Sequence, residues 1–460
     1  MVRRRWLLIL LLLVCPTLAR PLTSLADTEP IAAPAAGRSS SDQDDEYYEL
    51  FRTLVDVMHQ VEQNYVEPID RKELLQAAIR GVLQKLDPHS NYIPPEKIDE
   101  FRSSIENEFG GVGLQVTIER GQLTVISPIY GAPAHRAGVL AGDRILDIEG
   151  TSTKGMSLDE ATQLLKGRPG TRVSFTVFHP ATGRTENITV VREVVRIETV
   201  LGDTRKPSGE WDFMLDHQQK IGYIRMTAFG RETASDLRRA IQQLQKEGLR
   251  GLILDLRFNP GGLLSAAVDV SDMFISQGRI VSTRDRNGRE RTWEATQPGT
   301  LGDFPMVVLI NRYSASASEI VSACLQDHGR AVIMGERSFG KGSVQSVIEL
   351  GSGQSALKLT TASYHRPSGA NIHRFENMTE SDTWGVTPNE GFRIDLTDSE
   401  MLQLVDFRRD RDILRTPGQE PPLEAPEPGK RTAPRVSPNF VDRQLQKALA
   451  HLSTALARHE

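Results

Sequence analysis

The stretch from Asn311 to Gln345 constrains this chain more than any other. An apolar run, Met306–Ile310, ends in the small residues of N-R-Y-S-A-S-A-S-E, and a helix with Ile320, Val321, Cys324 and Leu325 on its apolar face follows. Such a pattern is a strand running into a strand-to-helix corner. Ser314, Ser316 and Ser318 occupy the corner, where the first backbone N–H groups of the helix point outward without partners. A second strand, Ala331–Met334, leads into Gly340-Lys341-Gly342, whose glycines let a lysine come close to another backbone.

Those two places suit a nucleophile and its base. A serine hydroxyl is a poor nucleophile until something takes its proton, and a lysine can do so only when neutral. Half-deprotonation at pH 7 needs a fall of about 3.4 units from ~10.4, roughly 4.6 kcal/mol of preference for the neutral amine. Burial supplies shifts of that size. We therefore expect a Ser316/Lys341 dyad. Taken singly, a serine at a helix start is usually a cap and a lysine between glycines usually a solvated turn residue. Their order and flanks together favour chemistry, with Ser314 and Ser318 as cap or packing serines. Glu319 lies one turn beyond Ser316 on the same helix face, placed to orient the site.

S-A-S-A-S-E followed by F-G-K-G-S-V-Q resembles the signature of the carboxyl-terminal processing, or tail-specific, serine proteases. The resemblance covers about residues 45–400. It implies Ser316 as nucleophile, Lys341 as general base, and Glu319 and Gln345 as accessory residues, with Gln345 placed to hold Lys341. It also implies a multidomain α/β fold: a ClpP/crotonase-like α/β protease core with an inserted PDZ domain and an N-terminal helical segment. Expected substrates are proteins or peptides with apolar C-termini, cut near those termini, with no metal or organic cofactor.

Other segments fit this frame. Gly251–Leu256 reads as a buried strand that opens at D-L-R-F-N-P-G-G, the kind of turn that frees amides at the carboxyl end of a sheet. By resemblance, the amide of Gly262 or Gly261, with that of Ala317, forms the oxyanion hole. From Phe109 to about Phe178 short strands and glycine turns take over, with a helix capped by Ser157 and Glu160. This order resembles a protease-associated PDZ domain, whose loop at Gly111, Val112, Gly113 and Leu114 can turn N–H groups onto a terminal carboxylate. Lys166 stands where the family more often has arginine, which keeps the charge but loses bidentate geometry. L-D-P-H-S-N-Y (Leu86–Tyr92) resembles the same family, with His89 read as a structural hydrogen-bonding residue. Arg374–Trp384 departs from it, as a surface insertion near the substrate channel.

Met1–Ala19 has the form of a secretory signal, with Arg3, Arg4 and Arg5 before an apolar run that is short for a membrane span. Its removal takes away three arginines and no acid, moving the formal charge from -5 to -8. Export to a bacterial periplasm is expected, with an uncleaved membrane anchor as the minor alternative. Weak acidity without a long basic run gives nucleic-acid binding no support. Of the two cysteines only Cys324 lies beyond the signal, so no internal disulfide is expected and Cys324 should be packed. His365, His373 and Glu376 lack ligand spacing, so no metal site is expected.

The expected organisation is a signal over 1–19, a flexible lead over 20–45, helices over 46–100 and a PDZ domain over 105–190. The protease core follows over 191–400, then a Pro-rich linker over 416–438 and a helix over 441–457. Leu50, Leu54, Val57, Met58, Val61 and Tyr65 mark a first helix, and Leu74, Leu75, Ala78, Val82 and Leu86 should be buried by a second. A homo-oligomer is compatible with this plan. Two other functions fit parts of it: a non-catalytic peptide-binding PDZ scaffold, and a crotonase-like acyl-CoA enzyme suggested only by the oxyanion turn.

Overall fold

A computed structural model describes residues 40–415 and 440–458. The expected signal, the linker over 416–438 and most of the lead lie outside the described residues. The chain falls into two compact units, one ending at Leu75 and the other beginning at Gln76.

The first unit contains the helix Ser40–Asn64, which starts earlier than the lead expected over 20–45 allows. An acidic sequence such as D-Q-D-D-E suits a helix start, because negative charge complements the helix dipole there. Tyr47, Leu50, Phe51, Val57 and Tyr65 are all exposed. The second helix, Arg71–Gln84, buries only Leu83, so the burial expected of Leu75, Val82 and Leu86 does not occur: all three are exposed. Apolar spacing specified the helices correctly but not a cover for them.

The second unit holds two cores. In the first, the strands Leu114–Glu119, Gln122–Pro128, Arg144–Ile148, Arg172–His179 and Arg184–Val191 pair in that spatial order, so Leu114–Glu119 is an edge. The strand Arg184–Val191 carries no turn-bounded apolar run and was not anticipated. The helix Leu158–Leu165 opens with a capping box between Ser157 and Glu160. Arg192 closes its other end, donating to the carbonyls of Leu164 and Leu165. Val125, Ile145, Val173, Phe175 and Val177 fill the interior.

In the other core, the strands Ile221–Met226, Gly251–Asp255, Met306–Ile310 and Val332–Gly335 run parallel. Strands buried on both faces read as continuous apolar runs, and each face then needs a cover. The helices Thr233–Lys246, Leu264–Asp272 and Ala317–Asp327 cover one face through Leu237, Ile241, Val270 and Ile320. The helix Arg443–Ala457 covers the other, packing Leu445, Ala448, Leu452 and Leu456 on Tyr223, Ile253, Val307 and Leu309. The terminal helix is thus part of the core rather than an appendage beyond a linker. A second sheet joins Asn91–Ile93, Ser355–His365, Arg279–Asp285 and Glu290–Glu294, and Ser343–Leu350 pairs with its strand Ser355–His365.

One charged cluster seals the C-terminal helix to the sheet. Gly251–Leu256 is not wholly apolar in effect: Asp255 is buried inside it, and Arg257 behind it is buried too. Arg257 donates to Asp255 Oδ2 at 2.6 Å, to Asp442 at 2.8 and 3.0 Å and to Gln444 at 2.9 Å. Burial pushes the Asp255 carboxyl up, but the Arg257 guanidinium outweighs it and holds the group at about 2. Removing one partner of such a cluster leaves buried charge uncompensated. Arg257→Ala should therefore lower the unfolding free energy by about 3–5 kcal/mol, read from urea titrations.

Candidate active site

The serine corner is pinned from behind by the glycine turn. Ser314 Oγ donates to the Leu256 carbonyl at 2.8 Å and Ser318 Oγ to the Asn259 carbonyl at 2.9 Å. Both residues are fully buried, whereas Ser316 keeps 9% of its surface exposed. The hydroxyl of Ser316 donates to no acceptor among the described residues. Its backbone sits at φ 55°, ψ −114°. A positive φ in a residue with a side chain costs on the order of 1–3 kcal/mol, and such strain concentrates where a side chain must be presented.

Gly261 explains how the turn and the corner can touch. A Cβ there would lie 2.7 Å from Ser316 Cβ and 2.9 Å from Ala317 N, so no larger residue fits. Its φ of +99° is also a glycine conformation. The oxyanion expectation needs one correction. The N–H of Gly261 is already taken by Asn259 Oδ1 at 2.9 Å, because that amide is folded back into the turn. The N–H groups of Gly262 and Ala317 have no acceptor among the described residues.

Glu319 joins the corner to the lysine loop. Its side chain is fully buried, and Oε2 accepts the Ser316 N–H and the Lys341 N–H, both at 2.8 Å. Oε1 accepts the Gly340 N–H at 2.6 Å and the Ser338 hydroxyl at 2.5 Å. Burial pushes the carboxyl up to about 7, against the pull of Ser338 and the three amides. All four partners are arranged as donors, which is the environment of an ionised carboxylate.

Lys341 is half-buried, and burial lowers its pKa below the ordinary lysine value. The positive charge of Lys358 lowers it further, and Glu319 opposes both. No hydrogen bond joins Lys341 Nζ to Ser316 Oγ among the described residues; the two meet through their backbones on Glu319. The expectation that Gln345 holds Lys341 is also corrected. Gln345 donates instead to Ser343 Oγ at 2.9 Å and reaches Thr360 Oγ1 at 3.4 Å, because its strand position sets it beside Thr360.

The departing segment Arg374–Trp384 braces this loop. Arg374 N donates to the Gly340 carbonyl at 2.9 Å, and Trp384 is buried. Arg337 lies over the Trp384 ring at 3.8 Å and donates to the carbonyls of Glu380, Asp382 and Trp384, so the insertion is not simply a surface loop. Beside the loop lies a 770 Å³ cavity lined by His89, Gly340, Ser343, His373 and Trp384 among others. The His89 side chain takes no hydrogen bond among the described residues, contrary to its expected role. Cys324 is buried, which pushes its thiol up to about 12.

In the smaller core, Val112 and Gly113 leave their N–H groups without acceptors among the described residues. Their carbonyls accept from Ala134 and Ile129, both at 2.9 Å, which holds the loop in place. A Cβ on Gly113 would meet Ala132 at 2.2 Å. Lys166 follows the helix Leu158–Leu165, its ammonium 5.5 Å from the Phe109 ring centroid.

The residues that sequence reasoning passed over are Asn259 and Ser338. Asn259 is fully buried and bonds Met226, Gly261, Ala315 and Ser318. It stands within the glycine-turn motif, which was the signal available.

Comparison with known proteins gives the family. A model for peptidase family S41 matches residues 220–390, a PDZ-domain model 124–177, and a model of the activating protease CtpB N-terminal domain 23–97. A carboxy-terminal-processing protease of Bartonella bacilliformis is 39% identical over 390 residues, covering 81% of this chain and 84% of that relative. The carboxy-terminal processing protease CtpA of Bacillus subtilis is 35% identical over 326 residues, covering 70% and 67%. Among solved structures, a photosystem II D1 C-terminal processing protease is 31% identical, with coverage of 74% and 92% and a TM-score of 0.42. At this identity and coverage the chain belongs to peptidase family S41, with the carboxy-terminal processing proteases, and is a serine-type peptidase.

Proposed function

We propose that Ser316 is the nucleophile and Lys341 its general base in an endopeptidase that cuts proteins near their C-termini. The observation that carries this reading is the shared carboxylate. One oxygen of Glu319 accepts from both Ser316 N and Lys341 N, and Ser316 alone among the corner serines has a hydroxyl not donated to a carbonyl.

The chemistry follows from these positions. Neutral Lys341 takes the Ser316 proton as Oγ attacks the scissile carbonyl, and the N–H groups of Gly262 and Ala317 receive the developing oxyanion. Lys341 then passes the proton to the leaving amine, and an acyl-enzyme remains on Ser316. Lys341 next activates water, which releases the acid and regenerates the hydroxyl. The free amides of Val112 and Gly113 and the open edge Leu114–Glu119 suit capture of an extended tail and its carboxylate. Lys166, with its ammonium beside the Phe109 ring, is a cation available to such a tail. Apolar terminal residues are the expected cargo. Export to the periplasm suits the signal-like N-terminus, and the exposed apolar side chains of Ser40–Asn64 suit self-association.

An unfolded protein with an apolar tail should be cut by the wild type and left intact by Ser316→Ala, as judged by mass mapping. Equal cleavage by both would remove Ser316 from the reaction. Lys341→Arg should lower the rate by about 10²- to 10⁴-fold, the usual worth of a general base, since guanidinium stays charged.

The pH dependence has a defined sign. Lys341 acts when neutral, so kcat/KM should rise with pH through its pKa and level off below the ordinary lysine value of ~10.4, because burial lowers it. Lys358 disfavours a second positive charge, so Lys358→Gln should raise the Lys341 pKa and move this limb to higher pH. A limb unmoved or moved downward in a pH–rate profile would show that another group titrates.

A further inference from the structure

The motif L-D-P-H-S-N-Y has no part in the reaction as described, yet its turn reaches the strand pair that follows Lys341. Asp87 Oδ1 accepts the N–H groups of His89 and Ser90 at 2.7 and 2.8 Å, and Oδ2 accepts the Ser90 hydroxyl at 2.7 Å. The buried Ser90 Oγ in turn accepts the Thr360 N–H at 3.1 Å. That contact extends a ladder: Asn91–Ile93 pairs with Ala356–Lys358, and Ser90 supplies a side-chain oxygen just before the strand Asn91–Ile93 begins.

The captured amide lies at an irregularity. Val344 pairs with Ala362 and Gln345 with Thr360, so Thr361 is an extra residue in the ladder between them. Bulges of this kind re-aim side chains and are frequent beside active sites. Here the bulge sets Gln345, four residues beyond Lys341, against Ser343 and Thr360. Gly342, next to Lys341, is tied to the same strand, its carbonyl accepting from Tyr364 N at 2.7 Å.

We propose that Asp87 and Ser90 are positioning residues of the peptidase: they pin the bulge at Thr360–Ala362 and thereby fix the strand pair that follows Lys341 and carries Gln345. The inference rests on the Ser316/Lys341 reading and deepens it. It gives the turn Leu86–Tyr92 a defined task, which is to hold the base rather than to touch substrate. Loosening the pin lets the lysine loop sample more open positions, where the ammonium is better solvated. The groups whose charge acts on Lys341 are Lys358 and Glu319, with His89 from the turn itself, and His373 and Arg374 pack against the glycines on either side of it.

The test uses the full chain and measures peptide hydrolysis and phosphonylation of Ser316 by a fluorophosphonate across pH. Ser90→Ala should lower kcat by about 10-fold, the factor corresponding to one hydrogen bond, with KM little changed. Its acid limb should move to higher pH, Ser90→Thr should restore the rate, and the loss should be non-additive with Gln345→Ala. Asp87→Asn, which keeps the backbone acceptor, should give the same limb shift and serves if Ser90→Ala does not fold. Wild-type kcat and pH limb in either folded variant, or full additivity with Gln345→Ala, would overturn the assignment. Lys341→Ala separates the two levels. If it abolishes labelling while Ser90→Ala labels normally, only the positioning role falls; if it labels like wild type, the dyad itself falls.

Discussion

A single buried carboxylate ties the serine corner to the lysine loop. Glu319 takes donors from the serine corner and from the lysine loop, two segments otherwise joined by the Phe339 N–H donating to the Ser314 carbonyl at 2.9 Å. Burial alone would favour its neutral form and pushes it up to about 7. A protonated carboxyl, however, needs an acceptor for its own proton, and the surrounding groups are set to donate. The arrangement therefore favours charge, and that charge acts on Lys341 in the direction opposite to burial. Lys341 is tuned by a balance: desolvation and Lys358 lower its pKa while the carboxylate that holds its backbone raises it.

That balance depends on rigidity around it, which comes from the two-sided burial of the parallel sheet. The helix Ala317–Asp327 lies on one face and Arg443–Ala457 on the other, the latter fastened by Arg257, Asp255 and Asp442. Replacing such a cluster by apolar residues can be neutral for stability, whereas breaking it cannot. The cluster joins the end of the strand Gly251–Asp255, where the glycine turn begins, to the start of the helix Arg443–Ala457.

Much of this was legible in the residues. Apolar strands running into small-residue corners gave the α/β layers, since strands covered on both faces need apolar side chains throughout, and Ser157 with Glu160 marked a helix start that forms as read. Ser316, Glu319, Lys341 and the glycine turn could be named because their flanks carry a family pattern. What stayed hidden depends on distant partners. Nothing local says that Asp255 meets Arg257 and Asp442, that Gln345 turns to Ser343 rather than Lys341, or that Arg443–Ala457 belongs to the core. The first helix shows the converse: its apolar spacing is real, but spacing does not tell whether the chain provides a cover.

Asn259 shows how little sequence is needed to build the turn behind the serine, and why its logic emerges only in three dimensions. Its Nδ2 donates to the Met226 carbonyl and its Oδ1 accepts the Gly261 N–H, so the side chain spans from one strand to the turn. Its own carbonyl accepts from Ala315 N and Ser318 Oγ, which fastens the corner from below. With Gly261 N–H used inward, the next amide, that of Gly262, is the one left free. The absence of a Cβ at Gly261 then allows the turn to reach Ser316. One asparagine and two glycines thus decide which amide of the turn is used inward and which is left free, and a shift of one residue in this turn would bury a different donor.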